Sequence, residues 1–203
     1  MEFNWQGFRD RFPRWFVILV WLKQIRTKVA LVLVSLRVID QVYFRERPLD
    51  WVEPNGWMVL GLALILAGLA FRLAALAVLR KKDHIATTGI YSLCRNPLYF
   101  GSILLTYGFC VLLNDDANYL YATLYFAVFY PLTIAWEEIR LTEQYGDAYR
   151  RYCSTTPRML PLGRFQRNGF EWRKALRGGG LVLIVVVLAS LAGVEVMAET
   201  IGR

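Results

Sequence analysis

The sequence predicts an all-α integral membrane protein of about five transmembrane helices. Of its 203 residues 56% are apolar, above the ~45–50% usual for soluble chains. The apolar residues fall in uncharged blocks of span length, and the excess positive charge, +8 overall, falls between those blocks.

In chain order the first apolar run, Trp15–Leu22, is short and is followed at once by Lys23, Arg26 and Lys28, each costing ~2.5–3.5 kcal/mol at mid-membrane on insertion scales. Phe12–Leu22 therefore reads as an interfacial stretch and Val29–Phe44 as the first span, with Arg37 and Asp40 placed to pair or to snorkel outward. No small-residue cleavage site follows the first run, so a signal peptide is not expected. Gly56–Leu79 is the second span, with Arg72 as its only charge; at ~1.5 Å per residue it is long enough to cross a ~30 Å hydrocarbon core. Tyr99–Leu113, between Pro97 and Asn114, is a shorter third. Ala117–Trp136 is uncharged, and Gly178–Ala198 carries only Glu195.

Most basic residues precede the first span or follow the second and fourth, and the 114–118 turn has none. Arg45 and Arg47 are the exception on the expected outer side, accompanied there by Glu46, Asp50 and Glu53. By the positive-inside rule the N-terminus and both long basic loops face the cytoplasm, with Arg45–Asn55 and Asn114–Asn118 outside. This distribution points to a membrane surface and away from nucleic acid. Three segments follow: 1–55, an interfacial stretch and first span; 56–163, the core that would carry chemistry; 164–203, a basic linker and terminal helix.

Several mechanisms are excluded. His84 is the only histidine, so multi-histidine metal catalysis is out, and no nucleophile-elbow pattern accompanies it. Cys94, Cys110 and Cys153 have no metal-ligand spacing and form no disulfide framework. Neither a phosphate-binding loop nor a Gly-x-Gly-x-x-Gly turn is present.

Two polar segments are rich in special residues. In Asp83–Gly101, Thr88-Gly89 and Asn96-Pro97 are turn signals, and Pro97 suits the first turn of the next helix. The free N–H groups there, beside Arg95, suit a carboxylate; the segment also reads as a basic loop capping a span. In Glu137–Pro161 two adjacent acids follow a span containing Pro131, about 100° apart on a helix, so that one faces the bundle and the other solvent. Leu141, Tyr145, Ala148 and Tyr152 continue at helical spacing, with Gly146-Asp147 as break and N-cap. An amphipathic helix lying on the bilayer is the alternative for this segment.

Taken in order, Thr88-Gly89-Ile90-Tyr91, Arg95-Asn96-Pro97-Leu98-Tyr99-Phe100-Gly101, Glu137-Glu138, Tyr145-Gly146-Asp147-Ala148-Tyr149, Pro157-Arg158 and Leu160-Pro161 resemble the integral-membrane methyltransferases that include isoprenylcysteine carboxyl methyltransferases and phospholipid N-methyltransferases. The resemblance covers about Lys82 to Gly163. It implies S-adenosyl-L-methionine as methyl donor, held in a cytoplasmic-side pocket formed by the loop before the third span and the segment after the fourth. Arg95, Asn96, Pro97, Tyr99 and Gly101 would shape the pocket around the donor's methionine end, and Glu137 or Glu138 would hold its amino group or ribose hydroxyls. Gly89 and Tyr91 would line the entry, and Leu160 would cover the adenine. Glu138 and Arg158 are the implied catalytic residues, Arg158 near the acceptor. Many relatives have histidine where this chain has Asn96; asparagine hydrogen-bonds but cannot act as a general base.

The chemistry agrees with a chain poor in histidine. Methyl transfer from a sulfonium is an in-line displacement that needs alignment and exclusion of water, with neither metal nor covalent nucleophile. For an amine acceptor one carboxylate would take the proton; for a carboxylate acceptor Arg158 would position it. A lipid-phase or lipid-linked acceptor is expected to enter sideways from the bilayer, with Arg72 lining the route, contacting an anionic headgroup or snorkelling to the interface. Two other readings exist. A membrane reductase of similar architecture would use a nicotinamide cofactor but is not expected to combine Arg-Asn-Pro with Glu-Glu; a non-catalytic scaffold would bind no donor.

Overall fold

The computed structural model describes residues 11, 13–44, 48, 55–78, 85–167 and 171–202. His84, Asp83 and most of the expected outer loop at 45–55 lie outside the described residues. The described residues are helical apart from loops, with one isolated bridge pair, Gly89 and Gln166.

Helix α1 is Pro13–Phe44. The expected interfacial stretch and first span are thus one continuous helix, because Arg14 to Phe44 contains no glycine or proline and Lys and Arg are good helix formers wherever their heads lie. Helix α2 is Gly56–Val78. Helix α3, Pro97–Leu113, starts with Pro97 in its first turn and stops at Asn114, in the left-handed region at φ 52°. Helix α4, Asp116–Tyr145, begins where the Asp115 side chain accepts from Ala117 N at 2.9 Å, a cap that satisfies one orphan donor. It runs through Pro131 and ends at Gly146, φ 54°. Helix α5, Asp147–Thr155, follows. Gly146 itself occupies the N-cap, and Asp147, expected there, is the first helical residue, where its charge still suits the helix dipole. After the short α6, Trp172–Ala175, and a π-helical turn, Leu176–Gly180, α7 is Leu181–Gly202.

Three of these stretches are long and apolar enough to cross a membrane: Gly56–Val78, Asp116–Tyr145 and Trp172–Thr200; Pro97–Leu113 is a shorter apolar helix. Helix α1 is not among them, since Lys23, Arg26, Lys28, Arg37 and Asp40 interrupt it.

Helices α2 and α3 run antiparallel along a seam of glycines. A Cβ on Gly68 would stand 2.6 Å from Gly101 O, and one on Gly108 2.8 Å from Gly61 O, so the backbones touch as small-residue interfaces in membranes do. Val187 and Val194 of α7 complete this core against Met58, Ile65, Leu105 and Leu112. Helix α1 lies on α4 instead. Arg37 pairs with Asp40, as expected, and also with Asp115, and its Nε donates to Asn118 Oδ1 at 3.1 Å. That pins the C-terminal half of α1 to the α3–α4 turn and leaves its N-terminal half at the opposite end, beside the cleft described next.

Candidate active site

The start of α3 is held by the chain that follows α4. Arg95 N donates to Pro157 O at 2.8 Å, Gly163 N to Leu93 O at 2.9 Å and Gly89 N to Gln166 O at 2.8 Å. Side chains add to this: Tyr152 OH donates to Tyr91 O at 2.6 Å, and Asn96 Nδ2 to Arg158 O at 2.9 Å. The two segments singled out in the sequence are therefore one unit. Glycine is required twice here, at Gly89, φ 63°, and at Gly163, where a Cβ would stand 2.1 Å from Ser92 O.

Between this latch and the end of α4 lies a cleft of about 230 Å³. Tyr91, Arg95, Asn96, Pro97, Tyr99, Glu137 and Glu138 line it, together with Leu141, Tyr145, Tyr149 and Tyr152. Both acids line it, where the sequence allowed one to face the bundle and the other solvent. Glu137 Oε1 accepts from Tyr99 OH at 2.7 Å. Glu138 lies between two guanidiniums: Arg95 Nη2 at 3.5 Å from Oε1, and Arg158 Nη2 at 2.8 Å from Oε2.

Protonation follows from burial. Burial pushes the Cys94 thiol up to about 11, against a smaller lowering by the backbone of Asn96. It likewise raises the hydroxyls of Tyr91, Tyr149 and Tyr152 well above the usual tyrosine range. These groups stay neutral near pH 7 and offer hydroxyls and ring faces, not bases. For Arg95 burial alone would lower the pKa, but Glu138, Cys153 and Tyr149 together outweigh it and the net direction is up.

Of the other residues proposed from sequence, Gly101 faces α2, where its Cβ would meet Arg72 Cγ at 2.8 Å. Gly89 belongs to the latch. Leu160 is exposed, and Arg158 sits at the rim with its carbonyl held by Asn96. The sequence reading placed the break at Gly146-Asp147 but gave the tyrosines of the helix after it no part in the cleft, whereas Tyr149 and Tyr152 form a wall of it. It also missed Arg26. From α1 this residue donates through Nη1 to Tyr99 OH at 3.2 Å, behind the bond from Tyr99 to Glu137; a contact across 73 positions leaves no local signal.

Comparison with known proteins bears on this geometry. A family model described as phospholipid methyltransferase matches residues 57–148, from the start of α2 through both acids to α5. Residues 57–148 are thus similar to the phospholipid methyltransferase family. The chain is also similar to a protein-S-isoprenylcysteine O-methyltransferase of Schizosaccharomyces pombe, 34% identical over 49% of this chain and 42% of that protein. A second relative is the cobalt-zinc-cadmium resistance protein CzcN of Cupriavidus metallidurans, 31% identical over 46% of this chain and 43% of that one. A third is the nickel-cobalt-cadmium resistance protein NccN of Alcaligenes xylosoxydans xylosoxydans, 29% identical over 44% and 48%. The match spans less than half the length of each of these relatives. No solved structure matches significantly. The matched residues include the two acids, Arg95 and the α3 start that line the cleft. Among the described residues no group of three or more His, Cys, Asp or Glu is placed to hold a metal ion.

Proposed function

We propose that the chain is an S-adenosyl-L-methionine-dependent methyltransferase acting on an acceptor dissolved in, or linked to, the bilayer. The observation that carries this reading is the convergence of Glu137, Glu138 and Arg95 on one tyrosine-walled cleft at the N-terminus of α3. The residues fit a zwitterionic, sulfonium-bearing ligand: Arg95 Nε is buried with no hydrogen-bond partner, and the rings of Tyr91, Tyr99, Tyr145, Tyr149 and Tyr152 surround the cavity. Aromatic faces attract cations, and a guanidinium with an orphaned donor suits a carboxylate.

When bound, the cofactor supplies an electrophilic methyl group on sulfur. Arg95 and the free N–H groups at the start of α3 would take its carboxylate, and Glu137, kept in place by Tyr99, its ammonium. Glu138, already engaged by two guanidiniums, serves to fix Arg95 and Arg158. Asn96 holds Arg158 at the rim through its carbonyl, so this asparagine does the work of orientation and not of proton transfer. The tyrosines of α5 exclude water from the reacting groups. An amine acceptor would lose its proton to Glu137; a carboxylate acceptor would need only Arg158 to orient it. The name of the Schizosaccharomyces pombe relative favours a lipid-linked acceptor. The reading includes five spans, with α1 and α3 as the two that need neighbours, a catalytic core at 56–163 and a cleft on the cytoplasmic side.

Calorimetry of the detergent-purified, folded protein tests the reading. Saturable binding of S-adenosyl-L-methionine and its demethylated product is expected, and its absence would overturn it. Incubating membranes with labelled donor and asking whether label enters lipid or protein identifies the acceptor class.

A further inference from the structure

Arg72 is a cation in a helix that crosses the membrane, where charge is costly and by default functional. It does not snorkel to the end of α2. Its stem lies over Gly101, whose missing Cβ leaves the room, and Nη1 donates to Ser102 Oγ. The Tyr130 hydroxyl lies beside both Ser102 and Arg72. Two other part-buried arginines have anions: Arg37 has Asp40 and Asp115, and Arg95 has Glu138. Among the described residues Arg72 has none within ion-pair distance, and its Nε is shielded from solvent with no hydrogen-bond partner. A guanidinium offers five N–H donors in a planar fork, and the acceptor it meets among the described residues is a neutral hydroxyl.

The surroundings say where this cation stands relative to the cleft. Ser102 Oγ donates to Leu98 O at 2.9 Å, and the Tyr130 ring packs edge-on against Tyr99, centroids 4.9 Å apart; Leu98 and Tyr99 both line the cleft. Arg72 is thus one side-chain layer from the cavity, on its membrane side. An uncompensated guanidinium at that place is completed by a negative charge that the described residues do not supply.

We propose that Arg72, with Ser102 and Tyr130, binds the anionic group of a ligand, a carboxylate or a phosphate, presented from the lipid phase. The identification of that ligand as the methyl acceptor rests on the methyltransferase reading; the anion site does not. The fork of Arg72 takes the two oxygens side by side, Tyr130 adds a hydroxyl, and Gly101 keeps the guanidinium seated.

The test uses the full chain in uncharged detergent, with labelled hexadecanoate and hexadecyl phosphate as probes and hexadecanol as the neutral match. At least one long-chain anion should bind saturably and about tenfold more tightly than the alcohol, as for a desolvated charge pair. Arg72→Gln should abolish that preference and Arg72→Lys retain part of it. Competition by acetate or inorganic phosphate at equal concentration would assign the anion to a free solute; failure to compete assigns it to lipid. Should Arg72→Gln not fold, Ser102→Ala and Tyr130→Phe carry the test, each reducing the preference about threefold. No preference for the anions, or one unchanged in every variant, overturns the site. Titrating the demethylated donor product into the same samples separates the two ideas. Donor binding without an Arg72-dependent preference sinks only this inference, and the reverse result sinks only the donor reading.

Discussion

The seam between α2 and α3 and the cleft at its end are held together by opposite means. The seam has almost no polar contacts: Gly61, Gly68, Gly101 and Gly108 let two backbones meet, and Ile65, Leu105 and Leu112 fill the remainder. The cleft is assembled from directed contacts, such as the bonds of Arg95 to Pro157 and of Asn96 to Arg158 and the arginines around Glu138. In lipid, contact without polarity suffices for stability, whereas recognition needs directional groups. Variants in the seam should therefore cost stability, and variants in the cleft should cost binding.

The largest effect is expected from Gly68→Val. Its Cβ alone would press on Gly101 O and Leu105 N, and overpacking against backbone costs about 3 kcal/mol, seen as a lowered unfolding midpoint in detergent. An unchanged midpoint would mean that the helices do not touch. Gly163→Ala comes next. It must force Ser92 O and the latch apart, at about 2 kcal/mol, and donor binding should fall before global unfolding changes. Glu138→Gln and Arg95→Ala should each weaken donor binding about tenfold, while the exposed Arg173→Ala leaves it unchanged; equal behaviour of all three would erase the distinction between cleft and surface.

A smaller effect, about threefold in donor affinity, is expected from Tyr99→Phe, which frees Glu137 from its hydroxyl. Arg26→Gln should act in the same direction and by less, since its hydrogen bond reaches Glu137 through Tyr99. The smallest effect is on pH dependence. With Cys94 raised to about 11 by burial, the unfolded thiol ionises first, so the unfolded state binds fewer protons once pH exceeds about 8.5. Its contribution is complete below that pH and is lost as pH rises through about 11. Thermal unfolding in detergent should show this decline, and Cys94→Ala should reduce its early part; a profile flat to pH 11 would place the thiol in solvent.

The helices were legible because apolar run length and turn residues are local. Pro97, Asn114 and Gly146 mark the ends that the chain adopts. The continuity of α1 was not legible, because hydropathy registers the cost of Lys23, Arg26 and Lys28 but not the backbone that runs through them. For the site, the motif order brought Arg95, Asn96, Pro97, Tyr99 and the acidic pair forward, and the cleft gathers all of them. What could not be read was which polar groups find one another across long separations. Arg26 reaches Tyr99, Asn96 turns to the carbonyl of Arg158, and Glu138 lies between two arginines. Gly101, grouped with the pocket by its place in the motif, serves the seam and the seat of Arg72.

The length of α4 sets these sites at different depths. Its 30 residues at ~1.5 Å each make about 45 Å, against a hydrocarbon thickness of ~30 Å. With Asp116 at one face of the hydrocarbon, about twenty residues would consume that thickness, and Glu137 and Glu138 would stand on the first turn beyond it. Tyr130, the neighbour of Arg72, lies about 10 Å back along the axis. In a bundle so placed the two polar centres would be stacked along the bilayer normal, and a molecule that met both would have to stand upright between them, in the posture a lipid already has.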